Sequence, residues 1–211
     1  MTKRGLGRMS GRIIFATGNA GKMKEIRMIM ADTGMEVVSM KEAGIAPDIE
    51  ENGTTYEENA LIKARAVAAC TDDIVLADDS GLEIDYLGGE PGVYSARYLG
   101  EDTSYRIKNA TLIQRLEGVP DEKRTARFVC AIAAVLPDGR ELTTRAAVEG
   151  QIGYEEKGEH GFGYDPIFYV PKFHKTTAEL TEEEKNQVSH RGQALQRMKE
   201  ELKKYESVSC E

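Results

Sequence analysis

The apolar positions fall into short runs broken by glycine-rich turns, and their period changes along the chain. Arg12 to Ala16 reads as a strand, Thr17 to Lys22 as a turn, and Met23, Ile26 and Met30, with Ile29 beside them, recur at helical spacing. A short strand is expected around Glu36–Ser39, then a polar loop from Pro47 to Gly53. Thr55 and Glu58 form a capping-box pair that opens a helix carrying Leu61, Ala64, Val67 and Ala68 on one face. The run Ile74 to Ala77 predicts a buried strand that stops on Asp78, Asp79 and the turn Ser80-Gly81. Leu87 to Gly92 holds three glycines and a proline and should be irregular. Thr103 or Ser104 opens a helix with Ile107, Leu112, Ile113 and Leu116. Arg127–Val135 and Glu141–Val148 flank Pro137, Asp138 and Gly139 and read as a hairpin of long strands. A glycine-dense loop, Gly158 to Gly163, leads to Tyr164, Asp165 and Pro166. Thr181 to Glu184 forms a second capping box, and a last helix carries Leu195, Met198 and Leu202. Early strand–helix alternation followed by antiparallel strands predicts an α/β fold with a mixed sheet. No repeat or composition break divides residues 12–205, which read as one domain behind a loose tail, 1–11, in which Met9 is an alternative start.

Composition narrows the class. The 211 residues are 40% hydrophobic and 30% charged, as in a soluble globular protein, and no apolar run approaches a membrane span. The basic start lacks a signal-peptide core, and Cys70, Cys130 and Cys210 have no metal-type spacing, so a reducing cytoplasm is expected. Cys70 and Cys130 read as small hydrophobes and Cys210 as a tail residue. The net charge of −8 argues against a broad nucleic-acid grip, though not against a nucleotide held in a cleft by a few lysines.

Four groups carry candidate chemistry. In Thr17, Gly18, Asn19, Ala20, Gly21 and Lys22, glycines let backbone N–H groups approach an anion, while a helix N-terminus and a lysine add positive charge. Only two residues separate the glycines and Met23 follows the lysine, so this is not a Walker A loop; a plain strand-to-helix turn is the simpler alternative. Two acidic pairs come second. Magnesium takes one or two carboxylates plus water and phosphate oxygens, so one acid from Glu50–Glu51 and one from Asp78–Asp79 would suffice. Alone, the first pair is a solvated loop and the second a strand-ending turn. Phe162, Gly163, Tyr164 and Asp165 offer an aromatic face, a close-approach glycine and an acceptor, or simply a core aromatic pair around a turn. Lys185 would ordinarily be a surface ion pair. Ser189 can cap the last helix, which puts His190 and Arg191 in its first turn, where positive charge opposes the macrodipole and so suggests another use.

Six segments occur in order: Ala16–Lys22 (ATGNAGK), Glu51–Asn59 (ENGTTYEEN), Ala77–Leu82 (ADDSGL), Gly92–Arg97 (GVYSAR), Gly161–Pro166 (GFGYDP) and Ser189–Gly192 (SHRG). Together they resemble the inosine triphosphate pyrophosphatase family, the XTP/dITP diphosphatases, over about residues 12–204. The resemblance implies an elongated mixed sheet with flanking helices and two lobes around a deep nucleotide cleft. It implies Mg²⁺-dependent hydrolysis of ITP, dITP and XTP to monophosphate and pyrophosphate, by a homodimer. It implies that Thr17 to Lys22 hold the phosphates, that Glu51 and Asp79 bind the metal, and that Asp79 also accepts a proton. Ser80, Phe162 to Asp165, Lys185, His190 and Arg191 would contact the nucleotide. Competing readings are a pyrophosphatase for other modified nucleotides, such as pyrimidines, a nucleotide-binding regulator without turnover, and, least supported by the acidic charge, a nucleic-acid module.

Overall fold

The alternation of side chains along three strands organises the molecule. The computed structural model describes residues 11–181, 183–185 and 189–208, with side chains to 204. Residues 1–10 of the expected tail, Met9 among them, together with Glu182 and Cys210, lie outside the described residues. β1 (Arg12–Phe15), β2 (Glu36–Ser39) and β3 (Ile74–Ile84) are mutually parallel around a central β1. β4 (Thr125–Val135), β5 (Glu141–Ile152), β6 (Phe168–Val170) and β7 (Lys175–Thr176) continue the sheet antiparallel, in the order β2-β1-β3-β4-β5-β6-β7. The sheet is mixed, as the pattern predicted.

Successive strand residues face opposite sides, and the core divides accordingly. Ile13, Phe15, Leu76 and Ile132 pack with α1 (Ala20–Met30) and α4 (His190–Val208) on one face. Ile14, Ala16, Val75, Ala77 and Ala133 pack under α2 (Tyr56–Ala68) on the other. Farther along, Leu82, Ile84, Phe128, Ile152 and Phe168 form a third cluster with Leu112 of α3 (Tyr105–Arg115). The cleft lies between this distal cluster and the first two.

Helix starts follow local chemistry. Asn19 Oδ1 accepts from Lys22 N and caps α1, and Thr55 and Glu58 close the expected capping box on α2. Ser189 Oγ accepts from Gly192 N at the start of α4, and Thr181 with Glu184 forms the second box.

Three expectations change. β3 does not end at Asp78: it runs on to Ile84, because β4 pairs with it continuously from Val75 to Ile84. In α3, Ile107 points outward, 56% exposed, and the buried stripe is Lys108, Asn109 and Leu112. Cys130 is buried but Cys70 is exposed, so only Cys130 acts as a core hydrophobe.

Candidate active site

The cleft is made by the end of a strand. Ala16 N donates to Leu76 O as β1 stops, while β3 continues. Beyond Leu76 one edge of β3 therefore has no strand beside it, and it stays open until the turn Gly92–Arg97 packs on Gly81 and Leu82 and Glu83 bridges to Pro91. Asp78, Asp79 and Ser80 sit on that bare edge. A cavity of about 460 Å³ fills it, lined at one end by the loop after β1 and at the other by Tyr105, Phe128 and Tyr164.

Being adjacent in a strand, Asp78 and Asp79 project to opposite faces, and each meets different partners. Asp78, 1% exposed, turns toward α1 and α4. Its Oδ2 accepts from Lys22 Nζ at 2.9 Å, from Arg191 Nε and Nη2 at 3.3 Å each, and from Ser80 Oγ at 3.1 Å. Burial pushes this carboxyl upward, but the charges of Lys22, Arg191 and Lys63 carry it far below the usual range. Arg191 is clamped from its other side by Glu25 Oε2, at 2.5 Å. Burial opposes its charge, yet the two carboxylates hold the guanidinium firmly protonated.

Asp79 turns toward α2. Its Oδ2 accepts from Asn59 Nδ2 at 3.1 Å. Lys63 Nζ lies 2.8 Å from Glu51 Oε2 and 3.6 Å from Asp79 Oδ1. Burial, with the nearby charges of Glu51 and Asp78, raises the Asp79 pKa against the lowering by Lys63 and Asn59, which favours this carboxylate as a proton acceptor. Burial works against the Lys63 ammonium, but Asp79, Asp78 and Glu51 outweigh it. Two acids from distant stretches thus share one cation. The same pair of hard oxygen donors suits a divalent ion that completes its shell with water and phosphate oxygens.

The distal end is aromatic. His190 stacks on Phe128 at 4.9 Å with the rings 20° apart, and Tyr105 meets Tyr164 edge-on at 5.1 Å. Burial, together with Arg191 and Lys185, holds His190 well below its ordinary pKa, so it is neutral at physiological pH. Phe162, 39% exposed, lies with Lys185 Nζ 5.0 Å and Arg191 Cζ 5.8 Å from its ring centroid.

Most of the expected site residues converge here: Thr17, Gly18, Asn19, Lys22, Glu51, Asp79, Ser80, Phe162 to Asp165, Lys185, His190 and Arg191 all line the cavity. Ala20 and Gly21 do not; they form the first turn of α1 behind it. Asp165 is not a free acceptor. Its Oδ1 accepts from Thr177 and its Oδ2 from Phe162 N and Lys185 Nζ, so it braces the loop instead. Asn59, Lys63 and Glu25 were missed as participants, and Asp78, one of the acid pair named as candidate metal ligands, instead partners Lys22 and Arg191. For Asn59 and Lys63 a signal existed: with Tyr56 they occupy positions i, i+3 and i+7 on the inward stripe of α2, where a polar residue needs a partner.

The chain matches the Ham1 family over residues 13–201. It belongs to that family. The dITP/XTP pyrophosphatase of Exiguobacterium sibiricum is 50% identical over 191 residues, 90% of this chain and 96% of the relative. That of Bacillus subtilis is 50% identical over 185 residues, 88% and 93% of the two chains. A HAM1 protein structure from Coxiella burnetii superposes with a TM-score of 0.83 at 41% identity, covering 92% of this chain and 99% of that one. Membership in the Ham1 family agrees with the resemblance that the six sequence segments carried.

Proposed function

We propose that this Ham1-family chain hydrolyses non-standard purine nucleoside triphosphates, ITP, dITP and XTP, to the monophosphate and pyrophosphate. The observation that carries this is the split of adjacent carboxylates: Asp78 gathers Lys22 and Arg191, while Asp79 and Glu51 share a cation across the same cleft. The names of the similar proteins, dITP/XTP pyrophosphatases, support the substrate class.

Glu51 and Asp79 would hold Mg²⁺. The ion would neutralise triphosphate charge and acidify a water. The chain does the rest by position and charge. The loop Thr17–Asn19 ahead of α1 and the Lys22 ammonium, which line the cleft, bind the polyphosphate. Asp79 accepts a proton from the water that attacks the α-phosphorus, with Asn59 fixing its Oδ2 so that Oδ1 faces the cleft. The P–O bond to the β-phosphate breaks and pyrophosphate departs on the Lys22 side.

At the other end, the purine enters among Phe162, Tyr105, Tyr164 and Phe128. O6 of hypoxanthine or xanthine is an acceptor that the donor-only groups of Arg191 and Lys185 can meet, whereas the N6 amine of adenine would set donor against donor there. The homodimer and the cytoplasmic setting expected from the sequence belong to this same proposal, the former open to analytical ultracentrifugation.

A substrate panel tests it. With Mg²⁺, kcat/KM for ITP, dITP and XTP should exceed that for ATP by about 10² or more. Equal rates for ATP and ITP would defeat the reading, and modified pyrimidines outrunning ITP would favour the alternative substrate class.

A further inference from the structure

Among the described residues, the cations that line the aromatic end of the cleft are each matched by carboxylates. Lys185 Nζ pairs with Asp165 Oδ2 at 2.5 Å, and Arg191 is held between Asp78 and Glu25. The other titratable groups there carry no charge: His190 is neutral, and burial keeps the Tyr105 and Tyr164 phenols protonated.

One cation behind that wall is not matched. Lys108 of α3 is 1% exposed. Its Nζ donates to Ala96 O at 2.6 Å and lies 4.9 Å from the centroid of the Tyr105 ring, and both Ala96 and Tyr105 line the cavity. Among the described residues no carboxylate pairs with it, and burial alone draws its pKa below the ordinary lysine value. Glu156 is bound by the adjacent Asn109 Nδ2 instead, at 2.7 Å.

A lysine in such a place is costly, and its hydrogen bond to Ala96 O uses one of three donors. An uncompensated positive charge behind a pocket wall does something that no neutral side chain can. It stabilises an anion on the other side, through protein where screening is weaker than in water. The proposed substrates differ in this respect. Xanthine is the acidic base among them: near neutral pH it loses a ring proton and spreads the charge over N3 and O2. Hypoxanthine, guanine and adenine stay neutral under the same conditions.

We infer that Lys108 tunes the purine end toward an anionic base, which ranks xanthine, as its ring anion, ahead of the neutral purines. Lys108 acts by charge through the wall formed by Tyr105 and Ala96 and touches no substrate, so it determines specificity without being catalytic. The inference rests on the purine seating proposed above and orders the nucleotides within that class.

The test follows the ratio of kcat/KM for XTP to that for ITP, in which the titrations of the enzyme and of the phosphates cancel. From about pH 5, where xanthine is mostly neutral, to about pH 8, where it is an anion, the ratio should rise at least about threefold in the parent. That rise should vanish in Lys108→Met and persist in Lys108→Arg, which keeps the charge. A flat ratio in the parent, or an undiminished rise in Lys108→Met, overturns the inference. A loss shared equally by both nucleotides at both pH values does so too, since it marks Lys108 as no more than a brace for Ala96. If Lys108→Met does not fold, Lys108→Gln, which can still donate to Ala96 O, is read in the same way. Failure of the parent to hydrolyse either nucleotide would instead sink the proposed function. The Kd of xanthosine monophosphate against that of inosine monophosphate, measured by calorimetry over the same pH interval, then decides by the same ratio.

Discussion

Asp78 and Asp79 are chemically identical neighbours with opposite electrostatic fates, and that difference can be measured. Asp78 is stabilised as a carboxylate by the buried Arg191 and the part-buried Lys22, so Asp78→Asn leaves both cations undercompensated and should cost about 3 kcal/mol of stability. Asp79 has its charge disfavoured by burial, so Asp79→Asn should unfold in urea at the parent midpoint or above it. It should nevertheless lose most turnover. Equal destabilisation by the two substitutions would contradict the assignment. Lys22→Ala should lower kcat by about 10²–10³, the usual loss for one preorganised donor, while near-parent kcat would remove Lys22 from the phosphate site. His190 gives a pH dependence. Its folded pKa lies below the unfolded value near 6.5, so the unfolded chain binds the proton first as pH falls. Its contribution to stability is full above about pH 6.5 and is lost as pH drops toward the folded value. The fall in unfolding free energy from pH 7 to 5 should therefore be shallower in His190→Gln, by up to about 1.4 kcal/mol per pH unit. Identical slopes in parent and variant would contradict this.

At the scale of elements, the decisive event is that β1 ends while β3 goes on. Local pattern revealed both strands but not the length of β3. Its continuation through two acids, a serine and a glycine depends on β4, which pairs with it from far along the chain. Period-2 reading alone ends where polarity begins. Helix starts were legible because their signals are local: Thr55 with Glu58, and Ser189 before His190. The inward polar residues Asn59, Lys63, Lys108 and Asn109 were harder, because their value depends on partners that sequence does not display. Gly81 illustrates an element-scale constraint. A Cβ there would lie 2.3 Å from Gly92 O, 2.7 Å from Tyr56 Oη and 2.8 Å from Ser95 Oγ. The turn Gly92–Arg97, which walls the cleft, therefore packs directly on β3 backbone. Gly81→Ala should destabilise by about 3 kcal/mol or more, since backbone must move. A urea midpoint unchanged from the parent would show the approach to be looser.

Over the whole molecule, one sheet supports two compartments of opposite character. The end nearest β1 is charged and suited to a polyphosphate; the end under α3 is aromatic and suited to a base. The six sequence segments were legible as a set because nearly all of them border this cleft, and their order along the chain reflects the order in which the sheet delivers them. What no short segment encodes is the cross-cleft pairing of Glu51 with Asp79 through Lys63. The most direct measurement is the product balance of the purified protein acting on XTP with Mg²⁺, resolved by phosphorus NMR. The expected result is xanthosine monophosphate and pyrophosphate in equal amounts, without orthophosphate. Orthophosphate as the released product, or no turnover of XTP, would contradict attack at the α-phosphorus in this cleft.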